Sequence, residues 1–246
     1  MTTREPSNDN RVPFYLGPKG TLQREDFNPH NMDWLREELE KRNIAALTPE
    51  ECERSRQETL ARLDPGDDLW VFGYGSLMWN PAFEVSASKK AHIIGWRRSF
   101  CIDMLAGRAS AQKPGLMLAL DKGGECTGIA HCIASKKIDS ETPILWLREM
   151  TPRTYRPVWV DVEINGKTVQ GLTFAIDQNT NFYAGSLAPA IQARRIAIAE
   201  GPLGTNRDYL YRCAEEMQRL KIKDPYIDDL AARTRALAGN SKAKPV

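Results

Sequence analysis

The stretch that most constrains the fold of this chain is 158–176. Val158, Val160, Val162 and Ile164 alternate with Trp159, Asp161 and Glu163; Asn165-Gly166 follows, and Leu172, Phe174 and Ile176 alternate on the way back. A period of two puts the branched residues on one face of a strand. Asn-Gly accepts positive φ at both centres of a type I′ turn. An antiparallel hairpin is therefore expected, with one face that must be buried, and this commits the middle of the chain to a sheet. Shorter apolar runs predict further strands at 69–72, 91–94, 116–120 and 128–133.

Helical signals lie on both sides. A first helix is expected near 34–47. A second starts at Thr48-Pro49-Glu50-Glu51, a capping box with Pro at its first position, and stops before Asp64-Pro65-Gly66. Thr142-Pro143 reads as the start of a short helix over 144–150 that Thr151-Pro152 ends. Three more are expected over 187–200, over 206–220, and after Asp224-Pro225. Residues 1–32 read as a loose arm and 239–246 as a disordered tail. Strands in the middle with helices at both ends predict an α+β fold. Without a flexible linker, residues 1–68 are expected to pack on a core domain of residues 69–238.

A chain of 246 residues with 41% apolar content can bury a core without disulfides or metal. Thirty-four basic against thirty-two acidic residues give +2, which argues against a general nucleic-acid binder. The five cysteines have no CxxC spacing and the three histidines are far apart, so neither a disulfide framework nor a zinc site is expected. The polar start and the lack of an apolar run near ~18 residues predict a cytoplasmic protein without membrane segments, metal or cofactor. A monomer is expected.

Few residues stand out as carriers of chemistry. Gly73-Tyr74-Gly75-Ser76-Leu77 directly follows a strand, and such a turn can present consecutive N–H groups to a carboxylate or phosphate. Glu149 ends an apolar helix between Arg148 and Arg153 and could act as acid or base if burial raised its pKa. Each has a plainer reading, an ordinary glycine turn and a solvated ion pair. In Gly201-Pro202-Leu203-Gly204-Thr205-Asn206 a glycine ending one helix and Asn206 capping the next suffice. Cys126, Cys132 and Cys213 read as buried inert thiols, and His131 as a hydrogen-bonded structural residue.

Taken in order, several segments resemble the ChaC-like γ-glutamylcyclotransferases: 71–81 (VFGYGSLMWNP), Gly95-Trp96-Arg97-Arg98-Ser99-Phe100-Cys101, Lys113-Pro114-Gly115, Leu147-Arg148-Glu149-Met150, and 201–206 with Tyr209-Leu210. The likeness spans about 69–237. It implies a small mixed β-barrel flanked by helices. It also implies cleavage of glutathione to 5-oxoproline and cysteinylglycine without metal, nucleotide or water as reactant. It assigns γ-glutamyl binding to the loop Gly73, Tyr74, Gly75, Ser76 and Leu77, and the acid/base role to Glu149. Tyr155 and Tyr183 carry over as further substrate-binding residues, although Met150-Thr151-Pro152-Arg153-Thr154-Tyr155 departs from the Lys-Gly-Gly-Tyr of many eukaryotic members. Other γ-glutamyl amino acids or amines as substrates, and a non-enzymatic role in regulating cation transport, are the competing readings.

Overall fold

The hairpin forms as the pattern demands. Strands β4 (Tyr155–Ile164) and β5 (Lys167–Ile176) pair antiparallel, and Asn165 and Gly166 turn between them at φ 52° and 76°. The computed structural model describes residues 23–41, 45–201 and 204–240. Its other strands are β1 (Leu69–Gly73), β2 (Ala87–Met104) and β3 (Gly115–Ile133), with the two-residue pair β6 (Glu200–Gly201) and β7 (Gly204–Thr205). The long strands close a barrel in the order β1-β3-β2-β4-β5, and a parallel β1–β5 contact joins its ends.

The sequence underestimates β2 and β3. The runs expected separately at 116–120 and 128–133 belong to one strand, and 91–94 is a fragment of β2. The intervening Asp121-Lys122-Gly123-Gly124 lacks apolar side chains, but a ladder of backbone hydrogen bonds does not need them. The register slips twice: where Gly95 (φ 87°) meets Gly123 and Gly124 (φ 90° and 75°), an irregularity that falls on glycines, and again at Cys101 between Phe100 and Ile102.

The helices are α1 (Pro29–Glu40), α2 (Pro49–Leu60), α3 (Ile138–Met150), α4 (Pro189–Ile198), α5 (Asn206–Arg219) and α6 (Pro225–Asn240). The box at Thr48 and Glu51 caps α2 as expected. Other boundaries move. Helix α1 starts earlier than 34, at the Asn28 cap with Pro29 following, and ends at Glu40. Beyond it, Ala46 bridges Pro152 and Leu47 donates to the Thr151 carbonyl, so 45–47 is extended. Thr142-Pro143 does not start α3. A 3-10 turn at Ser135–Lys137 leads into a helix that begins at Ile138 and tolerates Pro143 within it. Thr205, not Asn206, caps α5 through a box with Asp208. The Asn206 amide instead bonds both backbone groups of Leu116, at 2.8 Å each. Gly201 lies in β6 beyond α4, which ends at Ile198. Gly239 and Asn240 are the end of α6. The arm's residues 1–22, Pro202-Leu203 and 241–246 lie outside the described residues.

The core divides around the sheet. Phe72, Phe100, Leu118, Leu120 and Val162 pack with Ile196 of α4, Leu210 and Met217 of α5 and Leu230 of α6. On the opposite side, Leu69, Val71, Leu172 and Phe174 meet Leu145 and Trp146 of α3 and Cys52 of α2. The N-terminal helices are tied on by polar contacts as well: Ser55 accepts from Trp146 Nε1 at 3.2 Å, and Arg56 donates to Thr142 Oγ1 at 3.0 Å.

Candidate active site

Strand β1 delivers the glycine loop to one end of the barrel. At that exit β3 approaches so closely that a Cβ on Gly128 would sit 2.2 Å from the Gly73 carbonyl oxygen, which only glycine avoids. The chain then makes a 3-10 turn over Ser76–Met78. Its first internal bond runs from Met78 N–H to the Gly75 carbonyl at 2.9 Å, so the N–H groups of Ser76 and Leu77 have no acceptor within the turn. His131 steadies it from behind: Nε2 meets the Leu77 carbonyl at 2.9 Å and Nδ1 meets Ser88 Oγ at 2.8 Å. A carbonyl partner requires the proton on Nε2, and burial lowers the imidazole pKa, so this histidine is neutral and structural.

The last turn of α3 faces this loop. Arg148 joins the two: Nε donates to Glu149 Oε1 at 2.9 Å, Nη2 to Ser76 Oγ at 2.8 Å, and Nη1 to the Asn80 carbonyl. The second oxygen of Glu149, Oε2, accepts no hydrogen bond from the described residues. Both side chains border a cavity of about 240 Å³ whose other walls are Tyr74, Gly75, Ser76, Leu77, Met117, Leu118, Pro152, Tyr155 and Tyr209. Burial raises the Glu149 pKa above the usual carboxylate range, against the opposing pull of Arg148. Burial, helped by the nearby Glu149 charge, also holds the phenols of Tyr74, Tyr155 and Tyr209 well above their ordinary range, so all three stay protonated. Tyr155 donates to the Leu118 carbonyl at 3.2 Å. A raised carboxylate with one free oxygen, beside a turn offering amide donors, can move a proton and hold an anion.

Of the residues singled out in the sequence, Tyr74, Gly75, Ser76, Leu77, Glu149 and Tyr155 converge on this cavity. Two do not. Gly73 belongs to β1, where a Cβ would lie 3.0 Å from Leu77 Cβ and 3.1 Å from Met78 N, so its missing side chain lets the turn fold back against the strand. Tyr183 lies elsewhere: its hydroxyl is 3.2 Å from both carboxylate oxygens of Asp121, and it is not among the residues that line this cavity. Sequence reading missed Met117, Leu118 and Pro152, which look like core or breaker residues. It left Tyr209 in a motif without a role and treated Arg148 only as a flanking charge. The cysteines are all buried and free, and the described residues hold no group of three His, Cys, Asp or Glu able to bind a metal ion. No described helix is long and apolar enough to cross a membrane.

The sequence profile described as "ChaC-like protein" matches residues 69–237. A protein of Escherichia coli (strain K12) named glutathione-specific gamma-glutamylcyclotransferase is 39% identical over 180 residues, covering 73% of this chain and 78% of that protein. Gamma-glutamylcyclotransferase 2-3 of Arabidopsis thaliana is 31% identical over 184 residues, covering 71% and 92%. In fold, the chain is similar to the crystal structure of a gamma-glutamyl cyclotransferase specific to glutathione from yeast. The TM-score is 0.62 at 18% identity, over 69% of this chain and 96% of that one.

Proposed function

This chain belongs to the ChaC-like protein family, and on that footing we propose that it is a γ-glutamylcyclotransferase that cleaves glutathione into 5-oxoproline and cysteinylglycine. The observation that carries the assignment of roles is the partly unsatisfied, pKa-raised Glu149 carboxylate held by Arg148 against the Ser76 turn.

The γ-glutamyl group contains its own nucleophile. Its α-amine reaches the γ-amide carbon to close a five-membered lactam, so a binding site that folds the substrate can supply roughly 7–11 kcal/mol of the barrier. The amine arrives as an ammonium. Glu149 takes one proton from it, and the freed lone pair attacks the γ-carbonyl carbon. Glu149 gives that proton to the cysteinylglycine nitrogen and, as the tetrahedral intermediate collapses and the C–N bond breaks, takes the second proton still held by the attacking nitrogen and passes it to the departing amine, which leaves as an ammonium beside a neutral lactam. No water is consumed and the carboxylate is regenerated. A pKa raised by burial brings Glu149 closer to that of the amine, which makes these transfers less uphill. The Ser76 and Leu77 amides are the donors available to the substrate's α-carboxylate or to the developing oxyanion. The protonated phenols of Tyr74, Tyr155 and Tyr209 shape the remaining wall.

The test is purified protein with glutathione and a chelator, followed by mass spectrometry for both products, with Glu149→Gln in parallel. Both products from wild type and neither from the variant is the expected result. Undiminished turnover by Glu149→Gln would remove the acid/base assignment. Silence from wild type on glutathione, with activity on another compound in a γ-glutamyl panel, would change the substrate but keep the reaction.

A further inference from the structure

Outside the cavity lining, a buried arginine is bonded to both ends of the substrate loop. Arg98 of β2, its side chain 2% exposed, donates from Nε to the Tyr74 carbonyl at 2.6 Å and from Nη2 to Met78 Sδ at 3.5 Å and the Thr127 carbonyl. Its third nitrogen, Nη1, pairs with Asp224 Oδ2 at 2.8 Å. Asp224 in turn caps α6, its Oδ1 accepting from Ile227 N–H at 3.2 Å. A second contact reinforces the same junction, where Tyr226 Oη accepts from Phe100 N–H at 2.8 Å. One guanidinium therefore spans Tyr74 to Met78 and anchors that span to the start of the last helix.

We infer that Arg98 and Asp224 are positioning residues for the reaction, fixing the Tyr74–Met78 loop so that its amides meet the γ-glutamyl group, and making the start of α6 part of the catalytic scaffold. The inference rests on the functional reading above. Structure alone does not demand so costly an arrangement, because a buried ion pair gains little net stability over an apolar pair of similar volume. What it supplies here, beside the His131–Leu77 contact, is a second anchor for a segment that lies outside the barrel's strand ladder. It also supplies polarisation: a charged donor on the Tyr74 carbonyl makes the Gly75 N–H of the same peptide group a stronger donor. Lysine cannot replace this fork, since one ammonium lacks the planar geometry to serve Tyr74, Thr127 and Asp224 together.

Steady-state kinetics on the full chain with glutathione test this, using wild type, Arg98→Lys and Asp224→Asn, each checked for folding by circular dichroism and thermal melting. For Arg98→Lys the expected result is a folded protein whose KM rises roughly 10- to 100-fold, with a smaller loss in kcat and an unmoved acid limb of the pH profile. Asp224→Asn, which keeps an oxygen to cap α6, should show the same pattern more weakly. If Arg98→Lys does not fold, Asp224→Asn carries the decision. Folded variants with wild-type KM overturn the inference, as does a lowered melting temperature with unchanged kinetics per folded molecule. A shifted acid limb would locate the effect at Glu149 and also overturn it. If wild type makes no 5-oxoproline from any γ-glutamyl substrate, the functional reading fails first and takes this inference with it.

Discussion

Helix α3 carries two glutamates eight positions apart, about 12 Å along its axis. Each holds an arginine, yet their carboxyls are pushed in opposite directions. Glu141, in the first turn, is saturated: Arg24 reaches both of its oxygens at 2.5 and 3.1 Å, Glu84 N–H donates at 2.8 Å and Ser140 Oγ at 3.2 Å. Its pKa falls to about 2, with the Arg24 hydrogen bonds as the main cause. Glu149, in the last turn, has one bond from Arg148 and an open cavity in front of Oε2, and its pKa rises. Exposure does not explain the contrast, since the two side chains are 3% and 14% exposed respectively. Desolvation pushes both carboxyls up; at Glu141 the Arg24, Glu84 and Ser140 donors outweigh it, and at Glu149 the single Arg148 partner does not. The helix dipole adds to the contrast, favouring an anion at the start of α3 and opposing one at its end. One glutamate is saturated by the partners it holds together; the other keeps an open oxygen, as the acid/base role we propose for it requires.

The largest effect is expected where the contrast is broken at the reactive end. Glu149→Gln should lower kcat by about 10²- to 10⁴-fold or more, measured by product mass spectrometry. Its melting temperature at neutral pH should equal or exceed that of wild type. The sign follows from linkage: a carboxyl whose folded pKa is raised costs nothing below its unfolded pKa, and destabilises progressively as pH rises through the folded one. The amide has no such cost. A marked fall in melting temperature would mean that Glu149 is a structural anchor like Glu141.

Glu141→Gln should do the reverse. It leaves the partly buried Glu84 N–H bond and one side of Arg24 poorly matched, for a loss of about 1–2 kcal/mol. The low end applies because the Arg24 side chain is 43% exposed. Thermal melting should fall by roughly 2–4 °C per kcal/mol, while kcat per folded molecule stays unchanged. A lowered folded pKa contributes stability above the unfolded value of about 4.3 and loses it as pH falls through about 2. The difference between wild type and variant should therefore shrink on acidification over that window. A loss of kcat without a loss of stability would contradict the division of labour.

The two arginines give a finer comparison. The kcat/KM profile should have an acid limb above the ordinary carboxylate range, because Glu149 must be ionised to accept the ammonium proton. Arg148 lowers that pKa, so Arg148→Met should move the limb to higher pH, and the loss of the Ser76 contact should raise KM. Arg24→Met removes a similar charge from the other end of α3 and should leave the limb where it is. A common shift in both variants would show that net charge, not the local bond, sets the Glu149 titration.

How legible these features were follows from the kind of physics each one uses. The hairpin at 158–176 and the Thr48 cap depend on neighbours within a few residues, and their signals are explicit in the sequence. Strand β3 was seen in two pieces because the Asp121–Gly124 stretch carries no apolar signal, although its backbone continues the ladder. The Pro143 boundary was misread because a proline is usually a start or stop, whereas here burial of Leu145 and Trp146 against β1 and β5 sustains the helix through it. The candidate site was legible only through a family resemblance. Nothing local distinguishes Glu149 from Glu141, since the donors that separate them come from Arg24 and Glu84 at one end and an empty cavity wall at the other. Arg98 was hidden for the same reason, its partners lying 24 and 126 positions away.

The smallest expected effect extends the contrast from carboxyls to phenols. Tyr155 and Tyr183 both carry over from the family pattern as substrate-binding candidates, but their surroundings differ as those of Glu149 and Glu141 do. The Tyr155 hydroxyl ends at the cavity wall, on the Leu118 carbonyl. The Tyr183 hydroxyl lies between Asp121 and Gln178, and the same Asp121 carboxylate also accepts from Arg97 at 2.8 Å. That cluster ties the 177–183 segment to the β2–β3 ladder, and Asp121 keeps several donors if one is removed. Tyr183→Phe should therefore cost about 1 kcal/mol or less in stability and leave KM and kcat within about twofold of wild type, a difference below half a kcal/mol. Tyr155→Phe, measured in the same assay, should raise KM or lower kcat by clearly more. Equal and large kinetic losses in both would mean that substrate reaches beyond the cavity to Asp121, and the boundary of the site would have to be redrawn to include it.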